Sequence, residues 1–400
     1  MTRRTLGRTA SLLTALAVVA HTIWTSAAPA LTYPLYAQDW KLTTFATTAI
    51  FAIYPIFVVA TLVVFGNISD FIGRRETMLL GLAASAAGAL IFSVAPDVSW
   101  IYVGRAFMGI GVGLSAGPSA AAVVEFSAPG KTSQAGSATA AAQALGMMGA
   151  ALLGGALIQY APLPTRLNFI VLTAALTGLL VATWFLPNFT ASRAGGKWKP
   201  KVPGVPNGLF LTFVTATASV TASYVLGAIT LSLGAQVAHE VIGSTNALVN
   251  GGTIALFALF MAGVTILVRK LTGEKVISLG AAAAVASSVL LAVAAASHSL
   301  PTYAIAQAGS GMAYSLLLLG GLSMITATAP VTHRGATLSA LFLVAYLAQA
   351  VVALALGKVA TALGLAVAID IGALTVTILA MLTLLFGMIR NRARRAAQAR

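Results

Sequence analysis

The sequence lacks cysteine altogether and is poor in acid. With no Cys among its 400 residues, it forms neither a disulfide nor a thiolate metal site, and it carries no catalytic thiol. Its four histidines, His21, His239, His298 and His333, are too scattered for ligand spacing, so neither a metal nor another cofactor is expected. No glycine-rich phosphate loop ending in Gly-Lys-Ser/Thr is present, which argues against a nucleotide-driven pump. Only 8% of the residues are charged and 59% are hydrophobic, with a mean hydropathy of +0.95. A water-solvated surface of ordinary composition cannot be built from such a mixture, so the chain is expected to live in a bilayer.

What is present is a succession of apolar runs near residues 10–33, 42–65, 77–95, 99–124, 137–160, 167–187, 208–232, 246–268, 276–297, 301–325, 336–357 and 366–389. Each is long enough to cross the hydrocarbon core as a helix. Spanning β-strands need alternating segments of about ten residues, which continuous runs do not supply. The first run follows Arg3, Arg4 and Arg8 and ends in Ser-Ala-Ala-Pro-Ala30, the layout of a secretory leader. It exceeds a leader's apolar region and reads as span one.

A net charge of +15 would suggest nucleic acid in a soluble protein, but here the cations alternate along the chain. Placing the N-terminus in the cytoplasm puts 19 of the 23 Lys/Arg in cytoplasmic segments, as the retention of cationic loops requires. The expectation is a monomer of the plasma or inner membrane, surrounded by lipid, with both termini cytoplasmic and no nucleic-acid partner.

The midpoint is a Pro-, Gly- and Lys/Arg-rich stretch that reads as a linker. The fold expected is therefore an all-α membrane protein of 12 transmembrane helices in two six-helix pseudo-symmetric bundles. Residues 1–187 form the first, 188–207 a cytoplasmic linker, and 208–400 the second with its basic tail. The halves repeat with a period of about 200 residues. Gly73, Arg74 and Arg75 correspond to Gly273 and Lys275, Lys131 to Arg334, and Gly154 to Gly357. Arg105 and Gly109 correspond more weakly to Gln307 and Gly311. Parallel six-helix repeats are one way in which secondary transporters are built.

Ionisable groups at membrane depth are costly and usually face a cavity or a partner. Three stand out. Arg105, inside the outer end of span four, can hold an anionic group or tune a titratable neighbour, or it can snorkel to the headgroups. His21, near the middle of span one, is suited to carry a proton, though a histidine bonded between helices fits equally well. Asp370 lies close to the outer edge of span twelve. Span one also supplies Trp24, Tyr33 and Tyr36. Gly109, Gly113 and Gly117 recur every four residues along span four, and Gly146, Ala150 and Gly154 do so in span five; both read as close-packing faces. In the turn between spans two and three, Gly66 admits a neighbouring helix, Gly73 permits the reversal, and Asp70 is spaced to pair with Arg74 if the segment is helical. Glu125 is a further acid within reach of Arg74 or Arg75.

These residues resemble the major facilitator superfamily over nearly the whole chain. Gly66, Asp70, Gly73, Arg74 and Arg75 match the family's loop signature, with Phe71 where a basic residue is usual. Arg105 with Gly109 and Gly113 resembles the span-four arginine motif, which implies a part in proton coupling. Glu125, Pro129 and Lys131 are similar to the acid and base that close that span. Gly146-x-x-x-Ala150-Ala151-x-x-Gly154-Gly155 keeps the frame of the drug/proton antiporter motif without its Gly-Pro centre. The resemblance implies alternating access by two rocking halves, with the Gly66–Arg75 turn as a conformational latch. The function expected is proton-coupled efflux of a small drug or metabolite. The alternatives are an uptake permease for a small organic acid, with Arg105 as anion clamp, or for a sugar. A membrane-embedded enzyme is remote, because no nucleophile and base are paired.

Overall fold

The computed structural model describes residues 5–128, 132–187, 204–206, 208–268, 271–330 and 333–398. Most of the 188–207 linker, and Pro129 and Lys131 of the span-four closing motif, lie outside the described residues. Among the described residues all regular structure is helical. The twelve long helices are α1 (Arg8–Ala27), α2 (Thr44–Phe65), α3 (Arg74–Val94), α4 (Val98–Phe126), α5 (Thr132–Tyr160), α6 (Leu167–Trp184), α7 (Phe210–Ser232), α8 (Ala247–Leu267), α9 (Gly273–Ser297), α10 (Leu300–Thr328), α11 (Arg334–Leu363) and α12 (Leu365–Gln398). They supply 12 candidate spans by length and composition, as the apolar runs require.

Helix ends follow local chemistry. Span one is not one uninterrupted helix, because Pro29 has no N–H to continue the ladder. The chain passes from α1 through a 3₁₀ turn, Ala30–Thr32, into the short helix Tyr33–Asp39. At its far end α11 is stopped by Gly364, whose φ of +93° is open to glycine and strained for other residues. Helix α12 outruns its apolar stretch into the basic tail, whose Arg and Ala residues are strong helix formers.

Clustering of contacts divides the chain into two compact units. The first holds Met1–Leu42, Ile53–Lys201 and Asn246–Ala255, and the second holds Thr43–Ala52, Val202–Thr245 and Leu256–Arg400. Within the first, α3 and α4 close along a seam of small residues. The carbonyl of Gly104 lies 2.6 Å from where a Cβ on Gly88 would sit. Helix α1 packs on α5 so closely that a Cβ on Gly146 would strike the carbonyl of Ala20. Within the second unit the seam recurs between α9 and α10, and α7 is buried without a break from Ser219 to Thr230, as suits a helix enclosed on all sides.

Without a hydrophobic driving force between helices in lipid, such close approach supplies much of the packing energy. Gly146→Ala is therefore expected to lower the thermal unfolding midpoint in detergent, by an amount equivalent to about 1–3 kcal/mol of overpacking. Gly117→Ala serves as the comparison, since nothing lies within 4 Å of the added methyl, and it should leave the midpoint unchanged or slightly raised.

Candidate functional site

The break at Pro29 builds the centre of the first unit. In a continuous helix the carbonyl of Thr25 would accept from the N–H of residue 29, and a proline there leaves it open. Arg105 of α4 fills that place. Its Nη1 donates to the carbonyls of Thr25 and Ser26, both at 3.3 Å, and its guanidinium lies 4.7 Å from the ring centroid of Tyr54 on α2. The side chain is fully buried, so it does not snorkel. Two further side chains finish the same end of α1. Asn168 Nδ2 of α6 donates to the carbonyl of Ala28 at 3.0 Å, and the Tyr54 hydroxyl donates to that of Thr22 at 3.4 Å. Tyr33, fully buried nearby, keeps a hydroxyl without a partner.

His21 lies one turn before Thr25 on α1 and is 4% exposed. Its Nδ1 meets the carbonyl of Val18 in its own helix, and its Nε2 is 3.5 Å from the Ser85 hydroxyl of α3. The carbonyl contact makes Nδ1 the protonated nitrogen of the neutral ring and turns Nε2 toward Ser85 as acceptor. His21 and Trp24 also wall an apolar groove of about 500 Å³ between α1 and α6. Tyr36 stacks on Trp40 with centroids 4.7 Å apart.

Other candidate residues fall differently. The turn reverses at Gly73, whose φ is +100°, between the four-residue helix Ser69–Ile72 and α3. Asp70 and Arg74 therefore share no helix, and their anticipated pairing gives way to an ion pair between Arg74 and Glu125 at the end of α4. Arg75 pairs with Glu76 at 2.6 Å and reaches the carbonyl of Leu186 at 3.4 Å, past the end of α6. Asp70 is exposed. A Cβ on Gly66 would strike the carbonyl of Leu62 one turn earlier, so this glycine ends α2 rather than admitting a neighbour. Gly109 and Gly113 do meet α2, with a Cβ placed 2.6 Å from the Tyr54 carbonyl and 2.7 Å from Thr61 Cβ, whereas Gly117 faces open space. In α5, Gly154 lies beside Asn168 and Gly155 beside the carbonyl of Ala247. Asp370 is exposed on α12 of the second unit.

The second unit repeats the device without charge. Where α7 ends, Tyr303 donates its hydroxyl to the carbonyl of Gly234 at 2.9 Å. Gln307, the counterpart of Arg105, donates to the Tyr303 hydroxyl at 2.7 Å and accepts from Thr230 at 3.1 Å. Beyond lies a π-helical turn, Val237–Val241. Tyr54, Asn168, Ser85 and Tyr303 escape the motif reading. Asn168 alone carries a legible signal, as the one amide in the apolar run of α6.

Exchanging Arg105 for Met keeps its bulk but removes every donor, leaving the Thr25 and Ser26 carbonyls unsatisfied at a cost of about 1–3 kcal/mol. Arg105→Lys should recover only part, because an ammonium lacks the planar fork. Thermal melts in detergent check the order wild type, Lys, Met; equal midpoints would mean that the carbonyls have another donor.

Residues 13–276 match the Major Facilitator Superfamily. Over 77 residues the chain is 35% identical to "Probable polyol transporter 4" of Arabidopsis thaliana, a match that covers 19% of this chain and 15% of that relative's length. The crystal structure of a point mutant of the nucleoside transporter NupG superposes with a TM-score of 0.73 at 12% identity, covering 94% of this chain and 98% of the other. That likeness concerns the fold. With the family matched across about two thirds of its length, twelve candidate spans and the span-four arginine in a buried, fully packed setting, the chain belongs to the Major Facilitator Superfamily of membrane transporters.

Proposed function

We propose that the protein is a proton-coupled secondary transporter that moves a small uncharged organic molecule by alternating access. One observation carries the coupling: His21 is the sole buried histidine, and none of the eight Asp and Glu residues is buried. A proton carrier within the spans must titrate and be shielded from bulk water. Among the described residues His21 alone meets both conditions. Arg105 of α4, which meets the Thr25 carbonyl one turn beyond His21 on α1, is permanently charged, so it is no proton carrier itself. The direction we assign is efflux, supported by the antiporter-like frame in α5, whose Gly146 and Gly155 both sit against backbone. The cytoplasmic placement of both termini rests on the Lys/Arg distribution.

Proteoliposomes containing a pH-sensitive dye test this reading. A transported solute should drive proton movement in wild-type protein, and an imposed pH gradient should concentrate it. His21→Gln should abolish both while preserving exchange of labelled for unlabelled solute. Purely downhill flux with a silent dye in the wild type would sink the proton-coupled reading.

The Gly66–Arg75 turn is assigned the conformational step. Asp70→Asn removes an exposed charge that packs no core, so solute affinity should hold while turnover falls several-fold. Unchanged single-turnover kinetics would reduce the turn to a topology signal.

A further inference from the structure

The second unit holds a cluster of aromatic side chains at one depth. Tyr224 of α7, Phe257 of α8, Tyr314 of α10 and Tyr346 of α11 each lie within a turn of the midpoint of their helix, and Phe342 lies one turn before Tyr346. Tyr224 and Tyr314 have parallel rings with centroids 6.2 Å apart. Tyr346 meets Tyr224 edge-on at 4.8 Å, and Phe257 meets Tyr314 at 5.6 Å. The hydroxyls converge as well: Tyr346 hydrogen-bonds Tyr224, and Tyr314 is close enough to act on it electrostatically. Tyrosine hydroxyls at mid-depth are costly unless they serve something polar. Tyr314, Phe342 and Tyr346 also retain partial exposure there.

Helix α7 adds an independent observation. Its Ser219 and Ser223 hydroxyls donate to the carbonyls of Leu317 and Tyr314, at 2.7 and 2.9 Å, and bind α7 to α10. Thr217 and Thr221 lie on the other side, at helical spacing with Tyr224. Each is 8% exposed, yet neither hydroxyl has a hydrogen-bond partner. Many helical threonines here close back on a carbonyl three or four residues earlier, as Thr215 does on Leu211 at 2.7 Å and Thr253 on Asn250 at 2.8 Å. Two consecutive turns of α7 therefore present buried hydroxyls that the protein leaves unsatisfied, beside half-covered aromatic rings.

We propose that Thr217, Thr221 and Tyr224, with Tyr314, Phe342 and Tyr346, form a solute-binding patch for an uncharged molecule with a flat ring that bears hydroxyl or carbonyl groups on its edge. The ring face packs on the aromatic side chains, and the edge satisfies the two threonine hydroxyls. No Lys, Arg, Asp or Glu belongs to the patch, so an ionised solute would meet no counter-charge at this depth. An acyclic polyol brings many hydroxyls and no flat face, and the four aromatic side chains of the patch match it poorly. The proposal rests on the reading of the chain as a solute transporter, whose substrate class it names.

Equilibrium dialysis on purified protein in detergent tests binding apart from transport. Labelled uridine, adenosine and 4-nitrophenyl glucoside supply uncharged rings, mannitol an acyclic polyol, and uridine monophosphate a charged ring. At least one uncharged ring compound should bind, in preference to mannitol and to the monophosphate. Thr217→Val with Thr221→Val is nearly isosteric and should weaken that binding by about tenfold or more. Tyr346→Leu should weaken it further, and Thr177→Val, which removes an exposed hydroxyl on α6, should not. Thermal midpoints confirm that each variant is folded. Preference for mannitol or the monophosphate, no binding of any ring compound, or an unaltered affinity in the double threonine variant overturns the proposal. Binding without transport in proteoliposomes would overturn the transport reading and leave the patch standing.

Discussion

In a bilayer every backbone carbonyl at depth needs a donor from the protein itself, and the places where a helix breaks decide what else must be present. Pro29 is such a place. It ends α1 and opens the Thr25 carbonyl, and the arrangement of the first unit follows from closing that gap. Arg105 has to come from α4, Asn168 from α6 and Tyr54 from α2, which draws three helices to one point. An arginine suits the task because its fork reaches two carbonyls at once while its flat face rests on Tyr54. Carbonyl dipoles and a ring thus hold the charge.

The cations at the starts of α1 and α3 show a related economy. Arg8 donates to the carbonyls of Phe126 and Ser127 at the end of α4, and Arg75 reaches Leu186 past the end of α6. Both place a positive charge at the negative end of a helix dipole. In the second unit the buried Arg390 pairs with Glu274 in the first turn of α9. Residues whose distribution reads as a topology signal therefore also finish helices. One feature of composition, few acids and many bases, serves both ends because helix C-termini accept cations without needing acids.

Much of this was legible in the sequence. Hydropathy alone yields twelve spans, since a run of apolar residues long enough to cross lipid has few other fates. Arg105 and His21 declare themselves by being polar at depth. What stayed hidden depends on geometry that no local spacing encodes. The Asp70–Arg74 spacing is helical, but one glycine at positive φ separates the two, and Arg74 turns to Glu125, about fifty residues away in the chain. Gly117 continues a four-residue rhythm past the point where α2 still touches α4. The aromatic cluster draws its members from four helices, and each of its residues looks ordinary within its own run.

The two units answer the same structural demand with different chemistry, and that difference bears on the mechanism. Where Arg105 closes the end of α1 with a fixed charge, Gln307 and Tyr303 close the end of α7 with neutral groups. In the second repeat a phenol donates to the carbonyl of Gly234 and an amide donates in turn to the phenol, so a neutral donor suffices at that helix end. The unit without the charge is free to present uncharged hydroxyls and rings at mid-depth, where a fixed cation would favour anions over neutral solutes. The two repeats thus close a helix end with donors of different charge, a guanidinium in the first and a phenol backed by an amide in the second.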